Sequence, residues 1–495
     1  MYEILRPIDS LLNRVTMYRL TVYGLSLLVV VGFVFGVTDA LGISEWGLLV
    51  STGLLVAVCY LTNRVLAAIM HVATNSESWL ITALILVLIL PPLTDADRLL
   101  PIVFTGLIAM ASKYLIAYQA KHIFNPAAIA AFIVSVFHIL PVTWWVGSPS
   151  MLPFTILIGF LIVRKIRKLQ FVSLFIFSAI ATMVLVTAAD GLSVNEAVKN
   201  LFLSWPLIFM GTVMLTEPST IPPTRYYQLL TAAIVGIVFS SQIIVGPIAT
   251  TPQFALLIGN VLAYACSPRY NLRLRFRKRK TVAKEIYEYA FEMPANRRAV
   301  FSAGQYLEMT VPHGKPDSRG NRRTFSIASS PTEKQLRITV REPDQSSSFK
   351  QALAHLTPGK QVMAGHIAGN FIMPEDATRP MVWIAGGIGI TPFVSMAQYL
   401  IDTRQKRNIR LFYLTHTPEE VAYQDMFTTA QAMGLKADYR SDGSRLEAAT
   451  LTAHTSPDTQ WFISGPQAMV AYYKAILIRQ GVRPYRISTD YFSGY

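Results

Sequence analysis

The feature that most constrains this chain is where its apolar residues lie: they crowd into the first 266 positions, and nearly all dense charge clusters come after Pro268. A chain of 495 residues with 52% hydrophobic and only 15% charged residues is too long and too apolar for one soluble domain. The single change of composition therefore marks the boundary between a membrane part and a soluble part. Apolar segments of spanning or near-spanning length run over 20–38, 46–62, 79–92, 99–118, 126–140, 151–163, 171–188, 200–215, 226–246 and 252–267, which predicts ten helices. With the N-terminus in the cytoplasm, the inner segments hold Arg6, Arg14, Arg19, Arg64, Lys121, Arg164, Lys165, Arg167, Lys168, Arg225 and Arg269, against Arg98 and Lys199 outside. This asymmetry predicts a multi-pass protein of the plasma (bacterial inner) membrane with both termini cytoplasmic, and it accounts for the net charge of +15 without nucleic acid. The first apolar run begins near residue 20 and lacks a small-residue cleavage site, so it is expected to stay as a signal anchor. Cys59 and Cys266 are the only cysteines and lie in separate apolar stretches, which argues against a disulfide framework, a zinc site or a cysteine-bound iron–sulfur cluster. No metal site is expected. Paired haems are disfavoured as well, because His71, His122 and His138 are the only histidines in the apolar half.

Sliding the sequence against itself by 126 residues sets Pro92 over Pro218, Thr94 over Thr220 and Pro126 over Pro252. Two halves of five helices follow, and because five is odd the second half enters the membrane inverted, with broken helix ends in pseudosymmetric pairs. On the cytoplasmic side Asn125 and Pro126 are expected to meet Thr216, Glu217 and Pro218; outside, Pro91 and Pro92 meet Thr251, Pro252 and Gln253. Such ends expose unsatisfied backbone groups that must line a cavity or bind something, unless the prolines merely end helices at the interface. Glu217 is the hardest to dismiss, since an acid near hydrocarbon is costly unless paired or functional. The phrases Lys121-His122-Ile123-Phe124-Asn125-Pro126-Ala127-Ala128 and Leu215-Thr216-Glu217-Pro218-Ser219-Thr220 resemble the D-type membrane component of the Rnf electron-transport complex and the B-type membrane component of the sodium-pumping NADH:quinone reductase. That resemblance, over about residues 15–267, implies a flavin-binding ten-helix inverted repeat. The family's covalent flavin hangs on a Ser-Gly-Ala-Thr motif, whereas the corresponding loop here reads Ala189-Asp190-Gly191-Leu192-Ser193-Val194-Asn195-Glu196. Any second flavin, FMN or riboflavin, is therefore expected to be non-covalent.

After a basic stretch at 268–284, read as a linker that anchors on anionic lipid, period-two alternation begins at Ile286-Tyr287-Glu288-Tyr289-Ala290-Phe291. A strand-rich domain is predicted over 285–376 and an α/β domain over 377–495. Within the first, Gln305, Tyr306 and the strand Arg323-Thr324-Phe325-Ser326 carry residue types suited to a flavin: an arginine for a pyrophosphate, an aromatic for stacking, a hydroxyl for a polar ring edge. A second turn holds Gly365, Gly369, Asn370 and Phe371. The buried run Met381-Val382-Trp383-Ile384-Ala385 then leads into Gly386, Gly387, Gly389, Ile390, Thr391 and Pro392, a strand–turn–helix that can seat a phosphate on helix N-terminal amides. Trp461-Phe462-Ile463-Ser464 is followed by Gly465, Pro466 and Met469 in a similar arrangement. Taken in order, these four motifs resemble the ferredoxin–NADP reductase family, with Phe325 in place of the commoner tyrosine and His366 in place of a proline.

That resemblance implies an FAD-binding β-barrel joined to an NAD(P)-binding domain, and hence an NAD(P)H:acceptor oxidoreductase. It implies Ser326 at the flavin N5 edge, and aromatic cover for the flavin from the terminal Tyr491, Phe492 or Tyr495. Tyr495 and Ser326 are the expected catalytic residues. The run Thr415-His416-Thr417-Pro418-Glu419-Glu420, where the coenzyme's 2′-phosphate would be read, does not separate NADH from NADPH. The expected partners are the bilayer, NAD(P)H and a quinone or extracytoplasmic flavoprotein; a redox-driven sodium or proton pump and a redox-regulated solute channel stay as alternatives.

Overall fold

The computed structural model describes residues 7–9, 11–12, 15–70, 77–94, 96–118, 121–246, 248–266, 272–294, 299–314, 317 and 320–492. The chain divides into two compact units, Met1–Tyr270 and Asn271–Tyr495.

The N-terminal unit runs α1 (Met17–Val37), α2 (Glu45–Met70), α3 (Ser78–Ile89), α4 (Ala96–Leu115), a short hairpin β1–β2 (Ala117–Tyr118 and Lys121–His122) and α5 (Pro126–Val136). It continues with α6 (Leu152–Ile166), α7 (Leu169–Ala189), α8 (Val194–Leu203), α9 (Leu207–Phe209, prolonged by a π-helical turn Met210–Met214), α10 (Arg225–Ser240), a second hairpin β3–β4 (Ile244–Val245 and Ile248–Ala249) and α11 (Pro252–Cys266). Each hairpin leads into a helix that opens on a proline, Pro126 or Pro252, at the spacing the internal repeat predicts. Helices stand at all ten apolar segments, yet among the described residues only α1, α2 and α7 are long and apolar enough to cross a bilayer; a fourth crossing is added if α8 and α9, bent by 60°, count as one span. The shortfall has a physical reason. α3, at 12 residues, and α5, at 11, are too short for a bilayer core of about 30 Å, and they bury apolar side chains nearly all round. Close approach of the helices depends on small residues: a Cβ on Gly159 would lie 2.4 Å from Thr212 Oγ1, and one on Gly236 2.0 Å from Ser178 Oγ.

The C-terminal unit holds two sheets. The first, in the order β8-β7-β10-β5-β6-β9, is antiparallel and built from β5 (Leu272–Ala283), β6 (Ile286–Glu292), β7 (Tyr306–Thr310), β8 (Arg322–Ser326), β9 (Gln335–Arg341) and β10 (Gln361–Ala368). A bridge between Ile327, just past β8, and Ile338 on β9 joins its two edges, so the sheet closes into a barrel. The stretch expected to be a basic linker is therefore mostly β5, a central strand: Leu272, Leu274 and Phe276 alternate inward with Arg273, Arg275 and Arg277 outward. Counting charges hid that alternation, and the barrel begins at Leu272, not at 285. Helix α12 (Ser348–Ala354) lies between β9 and β10 in the chain.

The second sheet, β13-β12-β11-β14-β15, is parallel throughout and comprises β11 (Met381–Gly386), β12 (Ile409–Leu414), β13 (Leu435–Arg440), β14 (Gln460–Pro466) and β15 (Ile487–Phe492). Helices α13 (Thr391–Thr403), α14 (Gln424–Ala430), α15 (Ala448–Thr452) and α16 (Gln467–Arg479) make the crossovers. Every residue of β11 is buried, as a central strand covered on both faces requires. Chain order reverses between β11 and β14, the place where open α/β sheets leave a crevice beyond the strand ends.

Candidate functional site

In the barrel, β8 lies against β7 with Tyr306 opposite Ser326 and Met309 opposite Arg323. Alternation puts Arg323 and Phe325 on one face of the strand. Both rest on Phe349 of α12, the guanidinium carbon 5.2 Å and the Phe325 ring 5.7 Å from its ring centre. Arg323 Nη2 donates to the Asp317 carboxylate (3.1 and 3.4 Å), and Nη1 donates to the carbonyls of Gly320 and Arg322 (3.1 and 2.7 Å). The side chain is 11% exposed, a fixed cation of the kind that pairs with a pyrophosphate. Phe349 and Asp317 had no signature of their own in the sequence. Thr324 is exposed, whereas Ser326 is buried and its hydroxyl donates to Oδ2 of Asp490 on β15 at 3.2 Å, so the barrel and the parallel sheet meet at this hydroxyl.

Other expected contacts divide by role. Gln305 spends its side chain on the fold: Nε2 donates to the Gly369 carbonyl (3.1 Å) and Oε1 accepts from Ser302 N–H (2.9 Å). Gly365 sits in the β7–β10 ladder, and the register slips between it and Ala368, where His366 takes φ +47°. Tyr306 and the His366 ring lie 6.3 Å apart, and a Cβ on Gly369, at φ +121°, would press on the Tyr306 ring at 3.2 Å. Asn370 is exposed. Phe371 is buried, with rings of Phe393 and Phe462 at 5.4 and 5.3 Å.

The glycines after β11 are of two kinds. Gly386 and Gly389 serve packing, since a Cβ would lie 2.4 Å from Met469 Sδ in the first case and 2.4 Å from the Ser464 carbonyl oxygen in the second. Gly387, at φ +52° with nothing within 4 Å of its absent Cβ, opens free space at the strand end beside the start of α13. Of the three, Gly387 alone leaves its backbone uncovered. Ile390, Thr391 and Pro392 are buried, and the Thr391 hydroxyl donates to Ile388 O (2.8 Å), so they shape the turn from beneath. Gly465, at φ +152°, leaves room for the Met469 side chain, whose Cε would be 2.8 Å from a Cβ there; Pro466 next to it is exposed. β15 sets Tyr491 opposite Gly465 and Phe492 opposite Pro466, and Tyr495 lies outside the described residues.

The second sheet is tied to the barrel by buried polar groups. Glu288 of β6 accepts from Arg337 (2.6 Å) and from the Tyr423 hydroxyl (2.9 Å), which also bonds Thr339 (2.6 Å). Burial, and then the charge of Glu288, hold the Tyr423 phenol well above its ordinary range, so it stays a neutral donor. Glu420 accepts from the His416 N–H (3.1 Å) and from Arg341 of β9 (3.1 Å), which fixes the loop after β12.

Within the N-terminal unit, the expected cytoplasmic pair comes together. Asn125 caps α5, its Oδ1 accepting from Ala128 N–H (3.1 Å) while its Nδ2 donates to Glu217 Oε2 (2.8 Å). His122 Nε2 lies 3.1 Å from Glu217 Oε1, and the Asn125 N–H donates to Oδ1 of Asn260 (2.7 Å). Pro126 opens α5; Thr216 is fully buried, with its hydroxyl on the Thr212 carbonyl (2.6 Å), and Pro218 follows Glu217 past the π-helical turn. π turns cluster where a helix re-aims a functional side chain. The outer pair is joined by a residue the sequence did not flag: Trp144 donates its N–H to Ile89 O (3.0 Å) and its indole Nε1–H to Gln253 (3.2 Å).

Residues 383–475 match the model of the oxidoreductase NAD-binding domain. The beta subunit of the heme-dependent oxidative N-demethylase of Ectopseudomonas mendocina (strain ymp) is 30% identical over 211 residues, 42% of this chain and 65% of the relative. Phthalate dioxygenase reductase of Burkholderia cepacia is 25% identical over 204 residues, 40% of this chain and 61% of the relative. The chain thus spans less than two thirds of the length of either. Among solved structures, the flavohemoglobin of Malassezia yamatoensis with bound FAD and heme aligns with a TM-score of 0.43 at 17% identity, covering 60% of this chain and 74% of that one. The C-terminal half of this protein is thus similar to NAD(P)H-dependent reductases, and its residues 383–475 match an oxidoreductase NAD-binding domain.

Proposed function

We propose that the protein is a membrane NAD(P)H:acceptor oxidoreductase that passes electrons from cytoplasmic NAD(P)H through FAD into, and across, the membrane to a quinone or an extracytoplasmic flavoprotein. The observation that carries the reading is the meeting of Ser326 with Asp490 at the mouth of the β11 and β14 turns, which joins a flavin-type strand to a dinucleotide-type crevice. Bound FAD would supply two-electron acceptance from the nicotinamide and one-electron delivery onward. The residues fit it: Arg323 would hold the pyrophosphate, Phe325 would pack beside the ring system, and Ser326, whose hydroxyl donates to Asp490, would stand at the ring edge. Gly387 leaves the backbone open to the coenzyme phosphates, and Met469 and Tyr491 would border the nicotinamide side.

In the N-terminal half, the cluster of Asn125, Glu217 and His122 suits a second, non-covalent flavin, FMN or riboflavin. Its amide and carboxylate can reach the polar edge of an isoalloxazine, and the motif resemblance to the membrane components of the Rnf complex and the sodium-pumping reductase supports the same reading, as does the ten-segment repeat. Iron–sulfur and paired-haem routes lack ligands in the sequence. Extraction of flavins from the purified full-length protein tests this. FAD together with FMN or riboflavin, both released on denaturation, is the expected result; FAD alone would remove the membrane route.

A further inference from the structure

We propose that the outward face of β5 is a docking surface for anionic lipid headgroups of the bilayer that carries the N-terminal helices, with Arg273, Arg275, Lys278 and Lys280 as its contacts. The inference rests on the membrane reading above. Exposure along β5 alternates as a half-buried strand requires until Phe276; a register shift between Phe276 and Lys278 then turns Arg277 and Lys278 outward together, and exposure continues to Thr281. Two of the six bases are already neutralised: Arg277 pairs with Glu292, and Arg279 pairs with Glu342 and lies 3.6 Å from the Tyr287 ring centre. Among the described residues no carboxylate pairs with Arg273, Arg275, Lys278 or Lys280. Exposed Lys360, whose carbonyl accepts from Phe276 N–H, adds a fifth positive group beside them.

Folding does not require this face. Like charges repeated along one strand repel, and inward Leu272, Leu274 and Phe276 would hold the barrel equally well with neutral outward neighbours. A multivalent anion removes that penalty. A bilayer is the partner the chain itself favours, because only five residues separate the end of α11 from the start of β5, so headgroups of the same membrane are present at high effective concentration. A free nucleic acid or acidic protein has no such advantage.

The test uses the full chain in nanodiscs of phosphatidylcholine alone or with about 30% phosphatidylglycerol, a proportion that gives the leaflet a strong negative potential. Acylation rates of the Lys278 and Lys280 amines are read by mass spectrometry against exposed Lys436 on β13. Phosphatidylglycerol should slow both lysines roughly three-fold or more relative to Lys436, and salt near 1 M should abolish the difference. The Arg273→Gln/Arg275→Gln variant should lose most of the difference while keeping its FAD. Equal rates in the two lipids overturn the proposal, as does protection that appears only when RNA or an acidic protein is added. Failure of the protein to enter discs overturns the membrane reading itself.

Discussion

The two halves build their polar sites by opposite means. In the C-terminal unit most of the groups come from the ends of neighbouring strands, and sheet register sets much of their spacing: Ser326 is opposite Tyr306, and Tyr491 is opposite Gly465. In the N-terminal unit the groups come from helix breaks far apart in the chain, and Asn125 bonds Glu217 across 92 positions of sequence. A sheet-edge site tolerates side-chain loss without losing its frame. A helix-break site relies more on its own polar bonds, although core residues such as Ala128 and Leu215 pack around it.

Arg323→Ala offers the strongest break of that contrast: it removes the charge-assisted bonds expected to hold a pyrophosphate, and FAD affinity should fall by about 100-fold while the barrel stays folded. Flavin fluorescence titration with circular dichroism checks both parts. Unfolding in place of simple FAD loss would show that the sheet site depends on its side chains after all. Next comes Gly389→Ala, whose added carbon meets the Ser464 carbonyl and should cost about 2–3 kcal/mol by overpacking, against about 1 kcal/mol at Gly387, where only the positive φ is strained. Urea melts measure the difference. If Gly387→Ala weakens NAD(P)H binding more than Gly389→Ala does, the division of the glycines into an open and a packed kind is sharpened.

Glu217→Leu tests the other side. It strands Asn125 and His122 together in a half-buried place and should destabilise the N-terminal unit by about 2 kcal/mol, with loss of any flavin there and no change in FAD. Flavin content after purification, read alongside thermal stability, reports it; an unchanged second flavin would detach Glu217 from the site. The smallest effect expected is that of Tyr423→Phe, about 1 kcal/mol. The raised phenol pKa gives a pH signature. The native state keeps a proton that the unfolded chain releases near pH 10, so this contribution is complete below that pH and is lost as pH rises further. The variant should show a shallower alkaline loss of stability.

How much could be read beforehand follows the same contrast. Ordered motifs placed β8, the β11 turn and the β14 turn because each carries its geometry in consecutive residues. The repeat offset paired Asn125 with Glu217, a non-local contact that no local pattern announces. What escaped was whatever depends on packing across layers: Phe349 beneath Arg323, Asp490 on Ser326, Trp144 between the outer breaks, and the packing of Phe371 on Phe393. β5 escaped for a different reason, because six bases within eight residues mask the three apolar positions that make it a strand.

That strand also decides how load enters the C-terminal half. The chain passes from α11 into β5, which is hydrogen-bonded to β10 on one side and β6 on the other, and not into a sheet edge. The barrel is thus joined to the N-terminal helices through a strand held by two ladders, and unravelling from that end has to break both.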